Sequence, residues 1–408
     1  MRAGDDIDAE LDLRHRAFGP MAEADRNYWR GEVLGCIEAG RQFGVWDGGA
    51  LVGAARYYDM RQYWHGRALP MAGIGGVKVA PETRGRGVGR ALMTQLLAEL
   101  AARGYPLSVL YPATARLYRS LGWELAGGHY QAEVLARSLG SLLAPDELAA
   151  DGHGAVGQST GSGRPAVRRA GPEDAEKVIE VLGAVNAASR DCGAATMDAV
   201  TVRRWLAGQG LFAYLAADGF LAYGWHGPTD KAIRVELLQA ASAATARELW
   251  GIVASHASVT QVIHAAVGPA DPITWLTMEP DVSIRNEHGW MLRVLDPVAA
   301  IAGRGYPAGL SARVALRLAD PELPGNAGQY TLTVRDGEGS LFRTGTPGQP
   351  DSPRARPLSL GPRGFAAMYA GVPLATLRVA GLVCGGDEES DAALDAVFAA
   401  APFLLYYF

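Results

Sequence analysis

The spacing of hydrophobic and polar residues changes along the chain, and the changes predict a mixture of helices and strands. Residues 91–100 combine strong helix formers with apolar positions at helical spacing. Residues 175–188, which follow Pro172-Glu173-Asp174, form a second predicted helix. Alternation in residues 312–318 and 330–334 indicates strands with one buried face. We therefore predict an α/β (α+β) fold.

Length and low-complexity segments divide the chain into three predicted domains. A chain of 408 residues corresponds to roughly two to four domains. Residues 151–163 are rich in glycine and serine, as linkers are, and Asp296-Pro297 precedes the alternating strands. Residues 344–353 are predicted to form a surface loop. We place the domains at residues 1–150, 151–296 and 297–408.

Composition limits the expected partners. The formal net charge is −5, so the chain has no electrostatic footprint for nucleic acid. The 3 cysteines and 8 histidines show neither a disulfide framework nor the spacing of a metal site, so we predict no metal. No apolar run reaches the roughly 18 residues of a membrane span, and the first residues do not read as a signal peptide. We expect a cytoplasmic protein without a membrane partner.

A glycine- and arginine-rich turn is the most informative chemical feature. Residues 77–90, Val-Lys-Val-Ala-Pro-Glu-Thr-Arg-Gly-Arg-Gly-Val-Gly-Arg, lead from a β-like run through a turn into a helix. Gly85, Gly87 and Gly89 allow main-chain N–H groups to converge on an anion. At a helix N-terminus the macrodipole adds roughly 0.3–1 kcal/mol of attraction for negative charge. The turn therefore predicts a pyrophosphate site.

The turn has three alternative interpretations. A P-loop requires lysine and then serine or threonine after its last glycine, but Gly89 is followed by Arg90 and Ala91. A dinucleotide fingerprint requires Gly-x-Gly-x-x-Gly, and the glycine spacing here differs. The third interpretation is a strand-to-helix turn without a ligand.

The pattern Arg84-x-x-Gly87-x-Gly89 resembles the coenzyme A loop of the GNAT acyltransferases. The resemblance implies that the strand containing Val77 and Val79 pairs with the pantetheine arm. It assigns coenzyme binding to both valines and to the turn, that is, to Val77, Val79, Arg84, Gly85, Arg86, Gly87, Val88, Gly89 and Arg90.

Downstream, Tyr118 precedes Gly122-Trp123 and resembles the tyrosine of the family's Tyr-x-x-x-Gly-aromatic signature. The resemblance implies that Tyr118 is the general acid that protonates the departing coenzyme A thiolate. A phenol suits this role because its ordinary pKa, about 10, keeps it protonated at neutral pH. The alternative is a tyrosine that only packs in the core.

The chain ends in an unusually apolar segment, residues 401–408. An aromatic end suggests burial, and a carboxylate buried with Phe408 would be a plausible proton acceptor. The alternative is a C-terminal strand that closes a core.

Over nearly its whole length the chain resembles the enhanced intracellular survival (Eis) family of acetyltransferases. The resemblance rests on Ala72-Gly73-Ile74, the turn, Tyr118, residues 290–306 and Phe408. It implies tandem GNAT folds, each a mixed, mostly antiparallel sheet flanked by helices. A domain like a sterol carrier protein follows. It also implies acetyl-CoA as co-substrate, the Phe408 carboxylate as base, a polyamine-like acceptor such as an aminoglycoside, and a homo-oligomer, in this family a hexamer.

The second and third domains are assigned no site of their own. No Arg/Gly cluster leads into a helix near Ala265–Pro269, so we expect one coenzyme site per chain. The third domain resembles lipid carriers, but a chain end committed to the active site favours a structural role.

Departures from the family leave the acceptor open. Tyr406 and Tyr407 stand near the terminus where acidic side chains would attract a polyamine. Possible substitutes are Glu23, Asp25 and Glu32, although such acids usually lie on a helix surface. Trp29, Tyr63 and Trp64 could form an aromatic wall or belong to the core. Gly75-Gly76 is interpreted as an open space that would widen the tolerance for acyl groups.

Two alternatives to an aminoglycoside acetyltransferase therefore stay open. One is an acetyltransferase that acts on another small amine or on a protein or peptide lysine. The other is a non-catalytic protein that binds coenzyme A or lipid.

Overall fold

The computed structural model describes residues 7–142, 166–226, 232–344 and 356–408. The helices are α1 Ile7–Phe18, α2 Glu23–Glu38, α3 Val88–Ala102, α4 Ala115–Ser120, α5 Ala175–Ser189, α6 Ala199–Leu206, α7 Ala243–Ala254, α8 Ile273–Leu276, α9 Pro297–Gly303, α10 Pro362–Tyr369, α11 Leu374–Val379 and α12 Glu388–Phe398. The strands are β1 Gln42–Asp47, β2 Ala50–Trp64, β3 Arg67–Val79, β4 Leu107–Leu110, β5 Glu124–Leu135, β6 Arg168–Ala170, β7 Cys192–Met197, β8 Leu211–Ala216, β9 Gly219–His226, β10 Ala232–Ala240, β11 Val262–Val267, β12 Val282–Val294, β13 Ala312–Leu318, β14 Gly328–Arg335, β15 Glu338–Thr344, β16 Leu358–Leu360 and β17 Val383–Gly385.

The chain forms two compact units. The first unit contains residues 1–127, 289–402 and 408, and the second contains residues 128–288 and 403–407. The predicted boundary at 150/151 and the linker at residues 151–163 lie outside the described residues, as do residues 345–353 of the predicted loop. The boundary at 296/297 stays a prediction.

The first unit contains a sheet that begins with a long hairpin. Strands β1, β2 and β3 pair antiparallel in that order, and β3 pairs parallel with β4 after the helix α3. Residues Met291–Val294 of β12 pair antiparallel with β4. Helix α3 buries five apolar residues, as its spacing predicts, namely Leu92, Met93, Leu96, Leu97 and Leu100.

A second sheet of the first unit has the order β15-β14-β13-β16-β17. Strand β13 alternates between buried and more exposed positions, which confirms the predicted alternation. A buried cation–π contact links residues 289–402 to the first part of the unit. In it, the Arg304 guanidinium lies 5.1 Å from the centre of the Trp64 ring. Trp64 and Tyr63 are both buried, so the interpretation of these two residues as core is correct.

The second unit contains a sheet with the order β5-β11-β10-β9-β8-β6. Strand β10 pairs antiparallel with β9 and parallel with β11, and the helix α7 connects β10 to β11. Phe403, Leu404 and Leu405 are buried in this unit, as the apolar end predicts. They form one isolated bridge, between Gly128 and Phe403, instead of a strand.

The described residues lack both a membrane-spanning helix and a metal-binding cluster. No helix there combines the length and the apolar character that crossing a membrane requires. The same residues contain no group of three or more histidine, cysteine, aspartate or glutamate side chains that could hold a metal ion.

Candidate active site

The predicted anion turn lies between β3 and α3 in the first unit. A short 3-10 helix, Pro81–Thr83, leads from the strand into the turn, and α3 begins at Val88. Gly85 and Gly87 have φ angles of 79° and 82°, a left-handed conformation that favours glycine. A Cβ on either residue would meet nothing within 4 Å. The turn therefore has the backbone geometry and the free space that the sequence predicts.

The start of α3 carries no internal anion. Gly87 is the N-cap residue, no side chain in the described structure caps the helix, and its first turn contains no acidic residue. The first N–H groups of a helix lack partners within it, so they are available to an external anion. A pyrophosphate fits this arrangement.

The three arginines of the turn differ in their surroundings. Arg84 and Arg86 are exposed, and their side chains show no ion pair within the described structure. In contrast, the Arg90 guanidinium donates to Ser120 Oγ at 2.9 Å and to Glu322 Oε1 at 2.6 Å. The coenzyme role of Arg90 stays a prediction, and its guanidinium already has two partners in the described structure.

Strand β3 offers an edge for an extended ligand. It pairs with β4 only over Met71–Ile74, whereas its pairing with β2 continues to Val79. The register with β2 shifts near Gly76, where φ is 61°, as in a β-bulge. The segment that contains Val77 and Val79 therefore runs past the end of β4, and an extended arm could pair with its main chain.

Tyr118 lies on α4 in the buried core of the first unit. Only 5% of its surface is exposed, and its ring is 6.5 Å from the Trp123 ring in an edge-to-face arrangement. Burial raises the pKa of Tyr118 to about 12, so the hydroxyl stays protonated at neutral pH. No side-chain partner of this hydroxyl is found among the described residues. Tyr118 is thus a core residue that still has a proton to donate.

Phe408 lies against β3 in the same unit. Its ring is 5.8 Å from the Tyr58 ring and 5.5 Å from the Tyr111 ring, both edge-to-face. A Cβ on Gly73 would lie 2.8 Å from the Phe408 ring, and one on Gly75 would lie 3.4 Å from the Phe408 carboxyl carbon. Any larger residue at position 73 would displace the ring. The two glycines hold the chain end beside the strand that leads to the anion turn.

The space at Gly75-Gly76 is occupied, so its interpretation as open room for larger acyl groups is wrong. The Phe408 carboxyl group and Tyr58 fill it at Gly75, and a Cβ on Gly76 would lie 3.0 Å from Arg56 Nη1. The sequence could not reveal this, because the occupants come from distant positions in the chain.

The three candidate acids on α2 have different environments. Glu23 and Asp25 are exposed, as surface helix acids usually are. Glu32 is buried and accepts a hydrogen bond from the Tyr58 hydroxyl at 2.8 Å. The interpretation of Glu32 as a surface acid is therefore wrong, since it contacts the tyrosine that packs against Phe408.

Sequence reasoning missed a group of buried charges beside this site. Lys78 Nζ lies 2.5 Å from Glu10 Oε1, with both side chains fully buried, and Arg56 Nε donates to Tyr58 Oη at 2.7 Å. Burial lowers the pKa of Lys78, and Glu10 opposes that shift. One signal in the sequence could have indicated them, namely the charged residue Arg56 within the apolar strand β2.

The second unit contains a counterpart of the anion turn, and it differs. Its β10 and α7 repeat the order of β3 and α3, but only residues 241–242 separate them. The side chain of Ser242 caps α7 by accepting from the Thr245 N–H at 3.3 Å. The sequence suggested residues Ala265–Pro269 for this position, but Ala265–Val267 belong to the next strand, β11. The counterpart of the anion turn is instead at residues 241–242.

Comparisons with known proteins agree with this arrangement. A family model described as an acetyltransferase (GNAT) domain matches residues 3–126, and another with the same description matches residues 198–294. A sterol carrier protein domain model matches residues 297–405. The predicted fold class, tandem GNAT folds followed by a domain of the sterol-carrier type, is confirmed.

Individual relatives extend over almost the whole chain. An uncharacterized N-acetyltransferase of Streptomyces avermitilis is 30% identical over 93% of this chain and 91% of its own. N-acetyltransferase Eis of Mycobacterium tuberculosis is 27% identical over 87% of this chain and 85% of its own. The crystal structure of a GCN5-related N-acetyltransferase from Kribbella flavida is 41% identical, with a TM-score of 0.87, and covers 100% of this chain and 97% of its own. This chain therefore belongs to the Eis family of GNAT N-acetyltransferases and is an acyltransferase.

Proposed function

We propose that this acyltransferase moves the acetyl group of acetyl-CoA to a primary amine, with Phe408 as the base and Tyr118 as the acid. The observation that carries the proposal is the position of Phe408. Its carboxyl group lies at Gly75, on the strand that continues through Val77 and Val79 to the uncapped turn at Gly87. A proton acceptor, a pantetheine edge and an anion turn therefore follow one another along one segment.

The coenzyme part of the proposal assigns each element one task. The N–H groups at the start of α3 and the exposed Arg84 and Arg86 bind the pyrophosphate. The main chain of Val77 and Val79 aligns the pantetheine arm and polarises the thioester carbonyl. Such alignment places the reacting atoms within attacking distance, which contributes much of the acceleration in transfer reactions.

The proposed transfer begins with removal of a proton from the acceptor. The Phe408 carboxylate removes one proton from the acceptor ammonium, so that the nitrogen can attack the thioester carbon. A C–N bond forms, a tetrahedral intermediate collapses, and the C–S bond breaks. Tyr118 donates its phenolic proton to the leaving sulfur and takes up another proton from solvent. The nitrogen releases its second proton to solvent, and so does the protonated Phe408 carboxyl group, which completes the cycle. Each proton transfer contributes about 10²–10⁴-fold in rate.

The proposal also covers the identity of the acceptor and the number of chains in the assembly. The family resemblance supports a polyamine-like acceptor, which includes an aminoglycoside acetylated more than once. It also supports a hexameric assembly. Sedimentation velocity of the purified chain tests the assembly. A panel of aminoglycosides, polyamines and lysine peptides tests the acceptor.

The experiment for Phe408 separates its ring from its carboxylate. Thiol release from acetyl-CoA is measured with wild type, with Phe408→Ala, and with a Gly-Ser extension beyond Phe408 that converts the carboxylate into a peptide bond. We expect the extension to lose about 10²–10⁴-fold in kcat and the alanine variant, which keeps a carboxylate, to lose less. An extended chain with the full rate would contradict the role of the carboxylate.

A further inference from the structure

The end of the chain lies beside a buried network of charged side chains in the first unit. Arg56 Nε donates to the Tyr58 hydroxyl at 2.7 Å, and this hydroxyl donates to Glu32 Oε2 at 2.8 Å. We call Arg56, Tyr58 and Glu32 the β2–α2 network, after the elements that carry them. The three residues are only 2%, 6% and 5% exposed, so bulk water does not screen their charges.

Tyr58 connects the β2–α2 network to the Phe408 carboxyl group. A Cβ on Gly75 would lie 3.1 Å from Tyr58 Cε2 and 3.4 Å from the Phe408 carboxyl carbon. The tyrosine ring and the carboxyl group are therefore neighbours at the same glycine. Arg56 lies at the next residue of β3, because a Cβ on Gly76 would be 3.0 Å from its Nη1. The two charges of the network are thus one tyrosine side chain away from the carboxyl group.

The Phe408 carboxylate completes the charge balance of this region. Three cationic groups surround the Trp29 ring, those of Arg56, Arg14 and Lys78, at 4.0, 5.5 and 5.9 Å from its centre. Among the described residues three carboxylates balance them, those of Glu10, Glu32 and Phe408. The region is therefore neutral when Phe408 is ionised and carries one positive charge when Phe408 is protonated. Buried charges are most stable when they are balanced.

The other titratable groups near the carboxyl group are uncharged at neutral pH. Burial raises the pKa of Tyr58 well above its usual value, so its hydroxyl stays protonated. Cys36 is a buried thiol that faces Arg56 and Tyr58, and burial disfavours a thiolate. Tyr111 packs its ring 5.5 Å from the Phe408 ring, and β3 contributes glycines there. The charged members of the network are therefore the ones that act on the carboxyl group.

From this arrangement we infer that Arg56 and Glu32 set the proton affinity of the Phe408 carboxylate. Arg56 favours its charged form, Glu32 favours its protonated form, and the Tyr58 hydroxyl holds both side chains in place. A general base needs both influences, since it must be ionised before the transfer and take up a proton during it. Arg56 and Glu32 act through Phe408, so they are positioning residues. This inference rests on the proposed role of Phe408 as the base and leaves the acceptor as proposed.

Carbon-13 NMR measures the titration of Phe408 directly, on the chain labelled at its phenylalanine carbonyl carbons. The chain has 9 phenylalanines, but only the terminal one carries a carboxyl group. The Gly-Ser extension removes that group and thereby identifies its signal. We expect Glu32→Gln to lower the pKa of Phe408 by about one unit and Arg56→Gln to raise it by about one unit. A charge at roughly 8–10 Å has this effect at an effective dielectric constant of about 20.

Matched controls remove the same charges from the same elements at the surface. Glu38→Gln on α2 and Arg61→Gln on β2 change exposed side chains. Water and salt screen these charges, so neither variant should move the pKa of Phe408 by more than about 0.2 units. Arg56→Lys keeps the charge and should restore most of the wild-type value.

Glu32→Gln keeps the test valid if the fully buried Arg56 is needed for folding. Glutamine has nearly the shape of glutamate, and its amide oxygen can still accept the Tyr58 hydrogen bond. Urea unfolding shows which variants are folded. The downward shift in Glu32→Gln alone then decides.

The same variants should move the acid limb of the pH profile of kcat/KM for the acceptor. Activity rises with pH as the base ionises. Glu32→Gln should therefore shift the limb to lower pH and Arg56→Gln should shift it to higher pH, each by about one unit. A general loosening of the structure would not produce shifts of opposite sign.

Two outcomes would overturn the inference. One is a pKa of Phe408 that Glu32→Gln leaves unchanged or raises. The other is a shift of the same sign in Glu32→Gln and Arg56→Gln. An extended chain with the full rate would instead contradict the proposed function alone, because NMR reports on the carboxylate without requiring activity.

Discussion

The two units solve the same strand-to-helix connection in different ways. In the first unit, β3 pairs antiparallel with β2 and parallel with β4, and α3 lies between β3 and β4 in the chain. In the second, β10 has the same relation to β9 and β11, with α7 between. Residues 80–87 connect the first pair and residues 241–242 connect the second. Only the first connection is long enough to form a glycine turn.

The N-termini of α7 and α3 differ in whether the chain itself supplies a cap. At α7 the Ser242 hydroxyl accepts an N–H of the first turn, so the chain supplies its own cap. At α3 the N-cap is Gly87, which has no side chain to offer. The same local fold therefore either satisfies the helix start internally or leaves it for a ligand, and the residue at the cap decides.

The next connection differs between the units as well. In the first, β4 leads to α4, which carries Tyr118. In the second, β11 leads to α8, which contains Trp275 but no tyrosine. The carboxylate of Asp271 accepts the backbone N–H of Ile273 at 3.0 Å in that turn. Among the described residues, α7 and α8, the counterparts of α3 and α4, thus offer neither a glycine N-cap nor a tyrosine.

Removing the phenol should have the largest effect. We expect Tyr118→Phe to reduce kcat by about 10²–10⁴-fold, with little change in the KM for acetyl-CoA. The matched control is Tyr57→Phe, another buried tyrosine of the same core, which should keep most of the rate. Because burial raises the pKa of Tyr118 to about 12, its ionisation should cause no loss of rate below about pH 10. Equal rates for the two variants would rule out Tyr118 as the acid.

Filling the anion turn should come second. Gly87→Asp places a carboxylate at the helix start and should weaken coenzyme A binding about 10²-fold, since roughly two charge-assisted hydrogen bonds are lost. Gly104→Asp is the control at the other end of α3, where φ is 80° and a Cβ likewise meets nothing within 4 Å. Both variants carry the same backbone strain, about 1–3 kcal/mol. If both bind coenzyme A equally, the turn is not the site.

The Asp271 carboxylate should make the unfolding free energy depend on pH. Burial raises the pKa of Asp271 to about 6, above its value of about 3.9 in the unfolded chain. The stability that this group contributes is therefore present below about pH 4 and is lost as pH rises to about 6. Relative to wild type, Asp271→Asn should gain up to about 3 kcal/mol in unfolding free energy over that interval. Urea unfolding at several pH values measures it, and a pH-independent difference would contradict the raised pKa.

Removing the side-chain cap of α7 in the second unit should have the smallest effect. Ser242→Ala should cost about 0.5–2 kcal/mol of stability, and Asp198→Ala, which removes the side-chain cap of α6, should cost a similar amount. Neither should change coenzyme binding or activity. Denaturant unfolding with a parallel activity assay checks both, and a gain of coenzyme binding in Ser242→Ala would show that an uncapped start alone suffices.

Local sequence predicted the local parts of the site. The apolar spacing of residues 91–100 and the glycines before them predicted a helix and an open turn, and both are present. The apolar end is buried at Phe403–Leu405, as its composition predicted. Each of these features depends on neighbours within a few positions, which is why one sequence is enough to predict them.

Long-range features escaped prediction. Lys78 meets Glu10 from 68 positions away, and Glu32 turns inward because Tyr58 supplies a buried partner. Gly75-Gly76 looked open because nothing near it in the chain shows that Phe408 and Arg56 fill the space. No local pattern encodes such pairings, so these buried charges became visible only in the fold.

A calorimetric titration of the chain with coenzyme A tests the central claim most directly, because it counts the coenzyme molecules that each chain binds. We predict that wild type and Ser242→Ala each bind one coenzyme A per chain and that Gly87→Asp loses this binding while remaining folded. Two coenzyme molecules per wild-type chain, or undiminished binding by Gly87→Asp, would contradict the claim that the turn at Gly87 is the one coenzyme site.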